Sequence, residues 1–375
     1  MRVLHLVSEP GPPGRGVPQK VARTVEVWRT LGVEADHLDV ATGRLGFDGV
    51  ASPALENPGP VRRAGWVREM ERRGRRLLQV LDRERPDIVY TRELVWAPAI
   101  ESIFRRHRVV VEINSDRAME LRPASRAAAA FWRLTAGRLL RRAAGVVAVT
   151  DELLGRLAPE GLSGCVIPNA TSVPRVRPRS SPRLGRPMAV MLVGCAAPWH
   201  GLDRFSLLAD ALPHVEFVVC GDLRDSSSSV SASVRRVPSQ TGDALEALFR
   251  QATVGVGSLA ISRNGMTQAC PLKSRSCLAA GLPIVYGYED PAIQDAVDFA
   301  LRLSEEDWRT GGAIRSVDRF VEVARADPSL GMKAWRFARS QMDVEVVERR
   351  RLSFLAEVAG SNFQPRRTEV TETGV

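Results

Sequence analysis

Pro271-Leu272-Lys273-Ser274-Arg275-Ser276-Cys277-Leu278-Ala279-Ala280-Gly281-Leu282-Pro283-Ile284-Val285 decides the fold of this chain. A proline suits the start of a helix, where its missing N–H is not needed. Gly281 suits the end, because it accepts a left-handed conformation that other residues avoid. Pro283 then leads into the apolar run Ile284-Val285-Tyr286. The stretch therefore predicts a loop, a short helix, a turn and a buried strand. A helix N-terminus carries free N–H groups and partial positive charge, which suits an anion such as a diphosphate. Lys273, in the first turn, adds a full charge.

Outward from this stretch, short apolar runs alternate with helical patterns. Val3–Val7 predicts a buried first strand, followed by the glycine-rich loop Pro10–Gly16. Val21, Val25, Trp28 and Leu31 then share one helical face, and Gly32 stops the helix. Further strands are predicted at 35–40, 86–92, 109–114 and 146–150, with helices over 63–85 and 125–143. Pro174–Pro187 holds four prolines and five arginines with little apolar content, and marks a linker. The pattern then restarts, with strands at 188–193, 215–220, 253–257 and 284–286. Strand–helix alternation of this kind predicts doubly wound parallel sheets, whose ligands bind outside the carboxyl ends of the strands.

Three further segments join the opening one: Trp199-His200-Gly201-Leu202-Asp203-Arg204, Val166-Ile167-Pro168-Asn169-Ala170 and Val146-Val147-Ala148-Val149-Thr150-Asp151-Glu152-Leu153. In that order the chain resembles the family-4 (group 1) glycosyltransferases of GT-B fold, from about Met1 to about Leu355. The resemblance implies an α/β protein of two Rossmann-like, doubly wound domains facing a cleft. Residues 1–173 would form the acceptor-side domain, 174–187 the linker, and 188–342 the nucleotide-sugar domain. A helix over 343–358 would cross back to the first domain, and 359–375 would be a disordered tail.

The resemblance also implies a site. Lys273 and His200 are the catalytic candidates, as contacts of the donor diphosphate. Gly14, Gly16, Arg204, Arg263, Gln268, Leu272, Lys273 and Ser276 are the donor-binding candidates. Glu112 and Asn114, near the end of the 109–114 strand, are the acceptor candidates. Relatives commonly carry two glutamates separated by seven residues in the donor site, and these positions are Gln268 and Ser276 here. An amide still donates and accepts hydrogen bonds but carries no charge. Structural alternatives stand beside several of these roles: Arg204 could pair with Asp203 or Glu216, and Glu112 with Arg92, Arg117 or Arg122.

The implied function is transfer of a sugar from a nucleotide-diphosphate sugar to a glycan, lipid-linked or small-molecule acceptor, with retention and no obligatory metal. The alternative is a weakened or inactive relative that binds a glycan or a partner protein. A sugar-nucleotide epimerase of similar architecture fits the Pro-Leu-Lys and Trp-His-Gly segments poorly.

Composition bounds the rest. The 375 residues suggest about two domains, and 44% are hydrophobic, enough for a core in each. The formal net charge is +10, which fits phosphorylated substrates, an anionic membrane or merely an arginine-rich composition. Residues 62–85 hold nine arginines against four acids. They predict either peripheral docking on an anionic membrane or a basic helix whose apolar face packs on the sheet, the second being preferred. Arg133–Arg142 is a second basic segment. Aromatic residues are only 6%, too few for a base-stacking surface, so nucleic acid is not an expected partner. Five cysteines without C-x2-C spacing fit a reducing cytosol. No apolar run reaches membrane-spanning length. The expected location is the cytoplasm, with peripheral contact at the inner membrane face as the membrane reading requires.

Overall fold

The structure is a computed structural model. It describes residues 1–7, 16–40, 42–46, 63–122, 125–177, 185–194, 197–223, 230–293 and 296–366. The chain divides into two compact units, Met1–Ile167 with Glu348–Val375, and Pro168–Val347. The crossings thus fall at Ile167–Pro168 and Val347–Glu348.

The first unit contains β1 (Arg2–Val7), α1 (Gly16–Thr30), β2 (Glu34–Asp39), α2 (Arg63–Glu84), β3 (Ile88–Arg92), α3 (Pro98–Arg106), β4 (Val109–Ile113), α4 (Arg117–Leu121), α5 (Arg126–Leu140), β5 (Gly145–Ala148), α6 (Asp151–Leu157) and β6 (Gly164–Val166). Its six strands are parallel, in the order β2-β1-β3-β4-β5-β6. The central strands β1, β3, β4 and β5 are almost wholly buried, which is why they read as largely apolar runs. The predicted apolar face of α1 is buried: Val21, Val25, Trp28 and Leu31 are at most 2% exposed. Polar side chains start α4, α5 and α6. Asp116, Ser125 and Thr150 accept backbone N–H bonds from Met119, Ala128 and Leu153, filling donors that a helix leaves open.

The second unit contains β7 (Met188–Val193), α7 (Leu202–Ala211), β8 (Glu216–Gly221), β9 (Val234–Val237), α8 (Gly242–Gln251), β10 (Val254–Val256), α9 (Leu272–Ala279), β11 (Ile284–Tyr286), β12 (Ala300–Arg302), α10 (Glu305–Arg309), α11 (Gly312–Ala326) and α12 (Ser329–Phe337). The parallel order is β12-β11-β10-β7-β8-β9. Phe205 of α7 meets Phe217 of β8 edge-on, 5.2 Å between centroids, at the centre of a core that includes Met191, Val219 and Val317. Cys277 of α9 lies so close to β10 that a Cβ on Gly255 would be 2.6 Å from its Sγ. Only glycine permits this approach of helix to strand.

The final helix, α13 (Val344–Ala359), starts in the second unit and ends in the first. Beyond it the chain is described to Arg366, whose N–H donates to the Leu31 carbonyl at 3.1 Å. The expected tail is therefore anchored to that point, and residues 367–375 lie outside the described residues. So do 178–184 of the linker.

The two doubly wound Rossmann-like halves expected from sequence are present. Three strands were not anticipated: β6, β9 and β12. The basic α2 resolves to its packed alternative. Met70, Leu77 and Leu81 are buried, and Arg72, Arg73 and Arg75 pair with Glu69 and Glu71 on the same helix. Among the described residues no helix is long and apolar enough to cross a membrane.

Candidate functional site

In the second sheet the chain runs outward from β7 in one direction through β8 and β9. It then returns to the other side of β7 through β10, β11 and β12. The point of reversal lies between β7 and β10, and a parallel sheet opens a crevice there at the strand carboxyl ends. Gly194 follows β7, and Gly257 and Ser258 follow β10. Pro198–His200 forms a 3-10 turn above them, closed by Gly201 in the left-handed region at φ 70°. A Cβ on Gly201 would lie 3.0 Å from the Cβ of Leu259, so the turn packs directly on the segment after β10. Leu259 and Ala260 N–H groups donate to the carbonyls of His200 and Trp199, tying the two loops together.

Lys273 enters this crevice from the first turn of α9. A Cβ built on Gly194 would be 3.7 Å from its Nζ, so the ammonium rests against the backbone at the end of β7. His200 is buried beside it, with Nδ1 3.1 Å from Ser258 Oγ. Burial first, and then the Lys273 charge, lower its pKa to about 3. His200 is therefore a neutral imidazole at pH 7, one nitrogen fixed by a hydroxyl. Lys273, His200 and Ser258 form one constellation of a fixed cation and neutral hydrogen-bonding groups. Such a set suits phosphate or sugar oxygens. Ser258 was not foreseen, since it lies 58 residues from His200 in sequence.

The two arginine candidates are engaged with carboxylates. Arg263 grips Asp203 through two bonds of 2.7 Å and reaches the Pro198 carbonyl at 3.2 Å. Arg204 donates to the Leu259 carbonyl at 2.6 Å and pairs with both oxygens of Glu305. Its partner is thus neither Asp203 nor Glu216, because α7 presents it to the start of α10. Both arginines brace the loops around the crevice in this structure.

Beneath α9, Arg275 is completely buried and forms a two-bond ion pair with Asp290. The Asn169 backbone N–H donates to Cys270 Sγ at 2.9 Å, and its amide donates to the Cys270 carbonyl at 2.8 Å. These bonds fix the loop that leads into α9 and so position Lys273.

The first unit carries a second polar cluster, at the carboxyl end of β4. Glu112 is 3% exposed. It accepts from Lys20 Nζ at 2.8 Å, Asn114 Nδ2 at 2.7 Å and Tyr90 OH at 2.7 Å. Arg351 of α13 lies 3.4 Å away, bridging to Glu348, which accepts from Trp28. Burial opposes ionisation of Glu112, but Lys20 and Arg351 prevail and hold its carboxyl well below the usual range. The two acceptor candidates are therefore together, but Glu112 is bound up in this network. Its ion-pair partners are Lys20 and Arg351, not Arg117 or Arg122. Glu93, just past β3, was also missed. Burial, then the nearby Asp116 charge, push its carboxyl up to about 7.

No protein-family model matches the chain, and no curated protein matches it. Solved structures do. Sucrose-phosphate synthase from Thermosynechococcus elongatus is 15% identical with a TM-score of 0.69, over 96% of this chain and 99% of that one. HepE from Anabaena, in complex with UDP-glucose, is 11% identical with a TM-score of 0.62, over 95% and 100%. An alpha-glucosyltransferase in complex with UDP-glucose and DNA containing an abasic site is 13% identical with a TM-score of 0.63, over 95% and 99%. The fold is GT-B.

Within this GT-B chain Gln268 and Ser276 are both partly accessible. Gln268 forms an isolated parallel bridge with Glu289, framed by the Ala269–Glu289 and Glu289–Thr267 backbone bonds. Ser276 Oγ donates back to the Leu272 carbonyl at 3.1 Å, one helical turn earlier. Leu272 itself is 45% exposed. Gly16 is the first residue of α1, while Gly14 lies outside the described residues. Among the described residues no group of His, Cys, Asp and Glu is arranged to hold a metal ion.

Proposed function

We propose that this chain is a glycosyltransferase that moves a sugar from a nucleotide-diphosphate sugar to a glycan, lipid-linked or small-molecule acceptor. The observation that carries this is the convergence of Lys273 and neutral His200 on the switch point between β7 and β10. Lys273 would neutralise charge on the departing diphosphate. His200, held by Ser258, would hydrogen-bond a phosphate or sugar oxygen. Gln268 would face the sugar through its amide. We propose retention: the bond from the anomeric carbon to the diphosphate breaks and one to the acceptor oxygen forms on the same face. The acceptor proton passes to the departing phosphate, so no protein base is required. The positive charge comes from Lys273 and the α9 N-terminus, without an obligatory metal.

Calorimetry against UDP-, GDP-, ADP- and dTDP-sugars tests the donor site, with UDP-glucose first because HepE is seen with it. One sugar nucleotide is expected to bind, and Lys273→Ala to weaken it about tenfold to hundredfold, the range for a lost charged hydrogen bond. Unchanged affinity in that variant would remove Lys273 from the site.

A second reading is a weakened relative that binds without turnover. The neutral Gln268 and the inward-bonded Ser276 favour it. Binding of a sugar nucleotide with no sugar released or transferred to any acceptor class distinguishes it from the first.

A further inference from the structure

The outward stripe of α5 runs through Arg126, Ala127, Ala130, Arg133 and Leu134 to the C-cap Arg141. The opposite face, with Trp132, Thr135 and Leu139, is buried. Leu134 is 75% exposed. A single exposed leucine is ordinary on a protein surface; its surroundings here are not. Arg126, Arg133 and Arg141 meet no carboxylate among the described residues. Their neighbours Arg138 and Arg142 do, both bonding Glu101 at 2.7 and 2.8 Å. Residues 121–150 contain six arginines and no aspartate or glutamate. Among the described residues the face thus has an apolar centre, a basic border and no counterions of its own.

α2 makes the contrast. It is richer in arginine, with seven in 22 residues against three in the 15 of α5, yet Met70, Leu77 and Leu81 on its apolar side are buried and several of its arginines pair within the helix. Charge alone does not select a surface. An uncompensated basic border around a projecting leucine matches the interface of an anionic bilayer, which offers phosphates at the arginine level and acyl chains beneath. Nucleic acid would also attract the arginines, but the stripe presents no aromatic ring to stack on a base.

We propose that the outward face of α5 docks on an anionic lipid bilayer. Leu134 enters the headgroup layer, and Arg126, Arg133 and Arg141 bind lipid phosphates. The contact is peripheral and is independent of the sugar-transfer reading, since it uses neither Lys273 nor His200.

Flotation of the full chain with vesicles of phosphatidylcholine, with and without phosphatidylglycerol, tests it. Binding is expected to the anionic vesicles and to weaken with added salt. Combined Arg126→Gln, Arg133→Gln and Arg141→Gln should lower partitioning about a hundredfold, each arginine at such a surface being worth about fivefold. Leu134→Asp should also abolish most of it. Both variants change exposed positions, and an unchanged melting temperature verifies that they fold. Equal binding to both kinds of vesicle, no binding to either, or anionic binding that survives both variants would overturn the proposal. A wild-type dimer that Leu134→Asp converts to a monomer, without vesicle binding, would assign the face to a second copy instead.

Discussion

Burial and the Lys273 ammonium both oppose protonation of His200, and His5 is buried between Trp28 and Tyr90 with its pKa also lowered to about 3. A histidine whose folded pKa lies below the ordinary value of about 6.5 stabilises the fold above that pH, and the contribution is lost as pH falls through the window below it. Glu93 has the opposite sign. Its carboxyl, raised to about 7, favours the fold below its ordinary pKa and loses that contribution as pH rises through 7. Glu93→Gln cannot ionise, so it should raise the melting temperature at pH 8 and change it little at pH 4.5. His200→Gln should flatten the fall in melting temperature between pH 6.5 and 4.5. Thermal melts from pH 4.5 to pH 8 check both, and an unchanged profile in either variant refutes the corresponding assignment. The same scale shows what sequence could not supply. Lys273 and His200 stand in recognisable segments. Ser258 and Glu305 become relevant only because strand ends bring them beside residues far away in the chain. Nearest-neighbour pairing likewise misplaced Arg204, whose partner Glu305 arrives from another element; for Glu112 it named Arg92, whose charge does act on the carboxylate, but not Lys20 or Arg351.

Elements differ in how plainly their residues announce them. Central strands such as β4 and β7, covered on both faces, carry apolar runs that sequence alone identifies. β6, β9 and β12 each border their sheet and pair on one side only. β9, Val-Arg-Arg-Val, shows two exposed arginines in four residues, so no periodic apolar signal marks it. Helix packing makes its own demands. Gly255→Ala would press a methyl group against Cys277, at a cost of about 1–3 kcal/mol for an overpacked core; urea unfolding measures it. Arg351→Ala would leave the carboxylates of Glu112 and Glu348 buried with a cation missing. Breaking such a network costs about 3–5 kcal/mol, and a smaller loss would mean that Lys20 alone compensates Glu112.

Across the whole molecule, two six-stranded parallel sheets repeat one plan, each with a central strand from which the chain departs in both directions. That plan survives in structures only 10–15% identical to this chain, because apolar runs and turn residues specify it and many side chains satisfy them. The chain passes between its two units at 167–168 and 347–348, and the Thr171 N–H, donating to the Met342 carbonyl, ties the residues after the first crossing into the second unit. A protein ending at Val347 lacks Glu348 and Arg351 and should lose the cooperative unfolding of its first unit while the second keeps its own; calorimetry that finds both transitions intact would contradict this. The same discontinuity orders events on the ribosome. Residues 168–347 can close as soon as they emerge, whereas the first unit, although its sheet is synthesised before them, must wait for α13. A nascent chain therefore exposes that sheet, incomplete, while the whole second unit is made, and this interval is when a chaperone would be needed.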